Sequence, residues 1–331
     1  MPFADGRFPT PDGKARLVPV TQMALQGPLR DWPMTLNTGR YRDHWHSMTR
    51  TGLAPKLARH REEPLVEVHA DDAARLGLTD GGLARVTTPQ GDSLYRVAVS
   101  AGQRPGELFV PIHWTDKTAT GGRTGLLPRP LTDPYSGQPG FKRTPANIAA
   151  VASRWHGFAI LSGEAMATPD CLWATRVAIP GGWLWEVAGD GDPGTLDALL
   201  PRGQRIEATD PARGSRRIAV IAEDRLAAVL FVTERGELPS RDWLIAQLSA
   251  AEVAPTILAG RAPGATVERG AIVCACFDIG VRTIVTAIRD QHLTDVAAIG
   301  AALSAGTNCG SCRPALARLL AETQEPAHAH G

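Results

Sequence analysis

The chain reads as a mixed, multidomain protein: a β-barrel, then a small α+β unit, then a small all-α module that carries four of the five cysteines. Three observations predict this. At 331 residues the chain exceeds the roughly 100–200 residues of a single domain. Short β-rich runs broken by glycine and proline fill the sequence up to about Pro145. After Gly264 the pattern turns helical, and the cysteines cluster there. The boundaries fall at 1–150 for the barrel, 151–262 for the middle unit, 263–323 for the cysteine module and 324–331 for a disordered tail.

In the barrel segment, Leu65–His69, Leu83–Thr88, Leu94–Val99 and Glu107–Ile112 read as strands, the evenly spaced pattern of a β-barrel with few helices. Ala70–Gly77 reads as a short helix that stops at a glycine C-cap. The proline-rich run Leu127–Pro145 is an ordered surface crossing. In the middle unit, Trp183–Val187, Arg217–Ile221 and Ala227–Val232 read as strands and Arg241–Ala250 as a helix. Val229 and Phe231 alternate with Ala228 and Leu230 and all four are apolar, which predicts a strand covered on both sides. In the last module Ile279–Gln291, Asp295–Leu303 and Pro314–Glu322 read as helices.

Hydrophobic residues at 43% and charged residues at 21% are ordinary globular usage, which excludes a disordered chain or a coiled coil. A net charge of +1 gives no global attraction to nucleic acid or anionic lipid. Met1–Arg16 holds no apolar signal core, and Leu226–Val232 is far shorter than the roughly 20 residues of a membrane helix. A cytoplasmic protein with no nucleic-acid or membrane partner is expected.

Cys274 and Cys276 are followed by a helical stretch and then by Cys309 and Cys312. A [2Fe–2S] rhomb takes four thiolates, two on each iron, and two close pairs meet that demand. Gly306, Gly310 and Ser311 keep the second loop small enough for backbone N–H groups to approach sulfide. Pro314 suits a helix start whose positive end faces the cluster. Structural zinc is the competing reading, although the single-residue gap between Cys274 and Cys276 fits a Cys-x(2–4)-Cys knuckle less well. A thioredoxin-like Cys-x-x-Cys reading leaves the first pair idle. Cys171 reads as a small half-buried hydrophobe, Trp32, Trp155, Trp173, Trp183 and Trp185 as packing residues, and His328 and His330 as part of the tail.

Val273-Cys274-Ala275-Cys276 with Gly306-Thr307-Asn308-Cys309-Gly310-Ser311-Cys312-Arg313-Pro314 resembles the bacterioferritin-associated-ferredoxin-like [2Fe–2S] domain, a small helical module, over about the last sixty residues. The resemblance implies that Cys274, Cys276, Cys309 and Cys312 ligate the cluster.

Upstream, Leu36-Asn37-Thr38-Gly39-Arg40-Tyr41-Arg42-Asp43-His44-Trp45-His46-Ser47-Met48-Thr49 gathers hydroxyls, a glycine, guanidinium forks and aromatic faces. That combination suits an anion and a flat ring, and it is also what a solvated basic face looks like. With Phe8–Gly13, Pro105–Pro111, Thr132–Pro134 and Phe141-Lys142, the segment from about residue 5 to 146 resembles the C-terminal dinucleotide-binding domain of molybdopterin guanine dinucleotide oxidoreductases of the nitrate reductase type, a double-psi β-barrel. By that resemblance Thr38, Gly39, Arg40, His44, Trp45, His46 and Ser47 line the cofactor, His113 or Trp114 supplies an aromatic, and Lys142 reaches a polar group of it. The chain departs from the family at Gly121–Gly125, where an asparagine is usual.

The order of modules is similar to the tail of bacterial assimilatory nitrate reductases. The resemblance implies an oxidoreductase in which electrons enter at the [2Fe–2S] cluster and pass to a molybdenum centre that reduces nitrate to nitrite, with no acid–base set in this chain. Those enzymes carry further iron–sulfur ligands, of a [4Fe–4S] cluster, and the molybdenum ligand in N-terminal domains. A catalytic portion in the same or another chain is therefore the expected partner, without which this chain is inactive. Ferredoxin, flavodoxin or an NADH-linked reductase is the expected donor. The alternatives are a stand-alone [2Fe–2S] electron-transfer protein, a subunit of another molybdopterin oxidoreductase such as formate dehydrogenase, and a zinc-stapled structural module.

Overall fold

A computed structural model describes residues 3–17, 19, 29–163, 168–263 and 269–324. The tail histidines His328 and His330, and the tail from 325 onward, lie outside the described residues.

The elements of the first half are β1 (Met34–Gly39), α1 (Pro55–Ala58), β2 (Leu65–Val68), α2 (Ala70–Leu76), β3 (Leu83–Thr88), β4 (Gly91–Val99), β5 (Glu107–Pro111), β6 (Ala119–Thr120) and β7 (Thr144–Val151). All the strands but β6 close a barrel in the order β1-β5-β2-β4-β3-β7, with β7 pairing back onto β1. β1 and β5 run parallel, as do β2 and β4, and the other barrel pairs are antiparallel. Alternation turns Met34, Leu36, Val66, Val68, Leu108 and Val110 into one buried core. Each such Leu or Val contributes about 1.5–3 kcal/mol on leaving water. α2 starts at His69, whose ring accepts the Asp71 N–H at 3.2 Å, and it ends at Gly77 in the left-handed conformation, φ 65°.

The middle strands are β8 (Trp155–Ser162), β9 (Trp173–Ile179), β10 (Gly182–Gly189), β11 (Gln204–Asp210), β12 (Ser215–Ala222) and β13 (Arg225–Thr233), followed by α3 (Arg241–Gln247). They form an antiparallel sheet ordered β11-β12-β13-β8-β10-β9-β6, so the first half of the chain lends β6 to its edge. β13 is covered on both sides as its sequence predicts: Val229 and Phe231 join one core with Leu244 and Ile245 of α3, while Ala228 and Leu230 join a second with Trp155 and Trp185. Cys171 packs at the edge of that second core. Leu83 and Leu94 of the barrel meet Trp173 and Ala188 of the sheet in a shared apolar seam.

The last module holds β14 (Ile272–Cys274), β15 (Ile279–Gly280), α4 (Val281–Asp290), α5 (Val296–Leu303) and α6 (Arg313–Gln324). The three expected helices form around Ile284, Ile299 and Leu316. A short β-pair adds to them, because Ile279 and Gly280 extend to pair with β14 before α4 begins. A Cβ on Gly280 would lie 2.3 Å from the Arg269 carbonyl oxygen, so only glycine permits that close return.

Candidate functional site

The four cysteines come from β14 and the turn after it, and from the turn that leads into α6. Cys276 donates to Cys309 with the sulfurs 3.3 Å apart, and Cys312 shares a hydrogen bond with Cys274. The thiols thus pair two and two, the division that two irons of a [2Fe–2S] rhomb require. No group of three or more metal-ligating side chains gathers on one point among the described residues. Ser311 Oγ lies 3.1 Å from Cys309 Sγ and pulls that thiol's pKa down, while burial pushes Cys312 up to about 11. Cys274 and Cys312 are buried; Cys309 is exposed. The Leu316 N–H donates to the Cys312 carbonyl at 3.0 Å, which makes Cys312 the cap of α6 and sets the helix's positive end at the sulfurs. Small loops, hydrogen bonds to sulfur and a thiol at the rim fit a one-electron cluster. When bound, that group supplies electron transfer.

Because β1 and β5 are parallel, with Gly39 opposite Pro111, the loops that leave them emerge side by side. His113, on the second loop, is wholly buried and ties the first loop down. Its Nε2 accepts the Tyr41 N–H at 2.7 Å, so its Nδ1–H donates to the His46 carbonyl at 2.6 Å. Burial lowers its pKa, and the ring is neutral. His46, whose carbonyl takes one of these bonds, stands at φ 43°, in the left-handed region. Trp114, 1% exposed, packs edge-on to Tyr41 and His44. Its buried Nε1–H has no acceptor among the described residues. Burial also drives His44 down to about 4.

The predicted cofactor residues therefore divide. His44, His113 and Trp114 lie beneath the loop, whereas Arg40, Trp45, His46 and Ser47 are exposed, with the Arg40 guanidinium 4.5 Å over the Trp45 ring. Thr38 Oγ donates to the Phe141 carbonyl at 2.9 Å and Lys142 Nζ donates to the Thr38 carbonyl, which draws the 141–142 segment onto the end of β1. Gly39 leaves room for Phe109, whose ring would stand 2.6 Å from a Cβ there.

A cavity of about 590 Å³ opens beside this loop, lined by His44, Ser47, Thr115, Arg123, Arg176 and Trp183 among others. That volume suits a small-molecule site. Arg123 and Arg176 escape the sequence reading. Arg176 carried a signal, since it interrupts the otherwise uncharged strand Trp173–Ile179. Its guanidinium lies 4.9 Å over the Trp183 ring.

The two candidate centres meet. Arg42, two residues from His44, donates to the Val273 carbonyl at 3.0 Å, next to Cys274. Arg59 pairs with Asp242 at 2.6 Å and with Asp278 at 3.5 Å, and Arg269 pairs with both acids, so three parts of the chain share one ion network.

Residues 34–145 match the molydopterin dinucleotide binding domain and residues 272–322 the BFD-like [2Fe–2S] binding domain. A nitrate reductase of Klebsiella oxytoca is 37% identical over 322 residues, 94% of this chain and 36% of that protein. The assimilatory nitrate reductase catalytic subunit of Bacillus subtilis is 31% identical over 41% of this chain and 19% of its own length. Subunit alpha of an F420-dependent formate dehydrogenase of Methanococcus maripaludis is 28% identical over 37% of this chain and 17% of its own length. The chain spans about a third of the Klebsiella relative. It joins a molybdopterin dinucleotide-binding domain to a BFD-like [2Fe–2S] domain, with those two groups as its cofactors, and is a relative of the nitrate reductases.

Proposed function

We propose that this chain is the cofactor-binding and electron-input portion of a molybdenum-dependent nitrate reductase. The observation that carries the reading is the presence of both cofactor modules in one chain that is 37% identical along 94% of its length to a nitrate reductase. In this reading Cys274, Cys276, Cys309 and Cys312 hold the cluster, two to each iron. Arg40, Trp45, His46 and Ser47, exposed on the loop, face the dinucleotide, with Gly39 at its base and the buried Thr38 tied to Phe141 behind it; the barrel, with its two parallel strand pairs, is a double-psi barrel.

This chain's own residues bind and orient. His113 fixes the loop through one backbone donor and one backbone acceptor, and Lys142 ties its segment to the end of β1 through the Thr38 carbonyl. His44 and Trp114 support the loop from below. The domain limits are 1–150, 151–262 and 263–323, and the partner is a molybdenum-bearing catalytic portion in the same or another chain. A ferredoxin, flavodoxin or NADH-linked reductase is the donor, in the cytoplasm. No helix among the described residues is long and apolar enough to cross a membrane.

The test combines the reduced chain with the molybdenum portion of a relative under argon. Nitrate-dependent return of the oxidised cluster's visible absorbance, with matching nitrite formation, supports the reading. Reoxidation by other substrates but not by nitrate overturns it.

A further inference from the structure

The contact between the cluster loop and the cofactor loop depends on one side chain. Arg42 lies on the turn after β1, 21% exposed, and Asp43 beside it is 8% exposed. The carboxylate takes the guanidinium in a fork, Nε at 3.1 Å and Nη2 at 3.0 Å. Nη2 also donates to the Val273 carbonyl, 231 residues away in sequence and one peptide bond from Cys274. His60 Nδ1 stands 3.5 Å from Asp43, and burial keeps that imidazole neutral at physiological pH. Arg42 and Asp43 are thus an opposed pair against the loop, with Arg61 also acting on the His60 ring.

We propose that Arg42 is a positioning residue for the [2Fe–2S] cluster: held by Asp43, it seats the Val273–Cys276 loop on the cofactor loop, and the Arg42–Asp43 pair sets the cluster's reduction potential. The inference rests on the cluster assignment made above and deepens it. Reduction adds one negative charge to the centre. A half-buried cation favours the reduced form and an anion disfavours it, because the surrounding protein screens them less than water does. Arginine suits the task because its fork serves a carboxylate and a carbonyl at once, while its charge does not titrate.

The experiment uses the full chain, reconstituted anaerobically, with iron and sulfide counted before an EPR-monitored redox titration. Arg42→Gln is expected to keep the cluster and to move the midpoint negative by about tenfold in the reduction equilibrium, about 59 mV for one electron. Arg42→Lys, which keeps the charge, recovers most of that shift. Asp43→Asn, which can still accept from Arg42, moves the midpoint positive. Opposite signs separate charge from disruption, which would move both variants alike.

Should Arg42→Gln fail to fold, the positive shift in Asp43→Asn still carries the proposal. Equal midpoints, or shifts of one sign in Arg42→Gln and Asp43→Asn at full iron content, overturn it. A wild-type chain without iron and sulfide overturns the cluster assignment and this inference together, an outcome the metal count identifies before any titration.

Discussion

Cys276 Sγ and Cys309 Sγ stand 3.3 Å apart although 33 residues separate them in sequence. The fold of the small module makes that pair: α4 and α5 lead out and back so that the turn before α6 returns to β14. Replacing Cys276 or Cys309 with serine leaves one iron short of a thiolate. Loss of the visible charge-transfer bands and of most iron is expected, and metal analysis beside absorption spectra checks it. Cys171→Ser leaves both unchanged, since Cys171 packs against the sheet and bonds the Trp173 carbonyl.

His113→Ala removes the partner of the Tyr41 N–H and of the His46 carbonyl at a fully buried position. Each group left unpaired costs about 1–3 kcal/mol. A loss of about 2–5 kcal/mol in urea unfolding is expected, with weaker dinucleotide binding by the loosened loop. An unchanged midpoint would remove His113 from the role of loop anchor.

Acid should weaken the barrel through His44. Its folded pKa, about 4, lies below the ordinary 6.5 because burial disfavours the imidazolium. The unfolded chain therefore binds the proton first. The contribution is fully present above pH 6.5 and is lost as pH falls toward 4, a change of about 3 kcal/mol at most. Urea midpoints between pH 7.5 and 4.5 should fall more steeply for the wild type than for His44→Gln.

Arg59, 12% exposed, faces Asp242 and Asp278 together. Arg59→Ala leaves two carboxylates to Arg269 alone, at a cost of about 0.2–1 kcal/mol for each partly exposed pair. The expected readout is faster proteolytic separation of the cysteine module from the rest of the chain, with the cluster retained. Proteolysis at the wild-type rate would show that the network does not hold the module.

Much of this was legible in the sequence where a local rule governs the outcome. Leu83–Thr88 is a strand over its expected length, Gly77 caps α2, and the unbroken apolar alternation of Val229 and Phe231 with Ala228 and Leu230 foretold a strand buried on both faces. The cysteine spacing announced two pairs close in sequence, Cys274 with Cys276 and Cys309 with Cys312, whereas the fold sets Cys276 against Cys309 and Cys274 against Cys312. What stayed hidden depends on long-range contact. Nothing near Ala119 announces that it pairs with Thr175 of β9, or near Arg42 that it reaches Val273. His113 looked like a candidate cofactor contact, and its burial instead makes it the support of the loop that holds the others. Ile279 followed a helical periodicity, yet the close passage of Arg269 over Gly280 holds it extended.

The most direct test of the central claim is to purify the chain anaerobically, count iron, sulfide and zinc, and record EPR spectra after dithionite. About two irons and two sulfides per chain, with a rhombic signal at low temperature, are expected of an electron-input chain with four thiolate ligands. Zinc bound at the four cysteines, with no chromophore and no signal, would contradict the account and leave a structural module in its place.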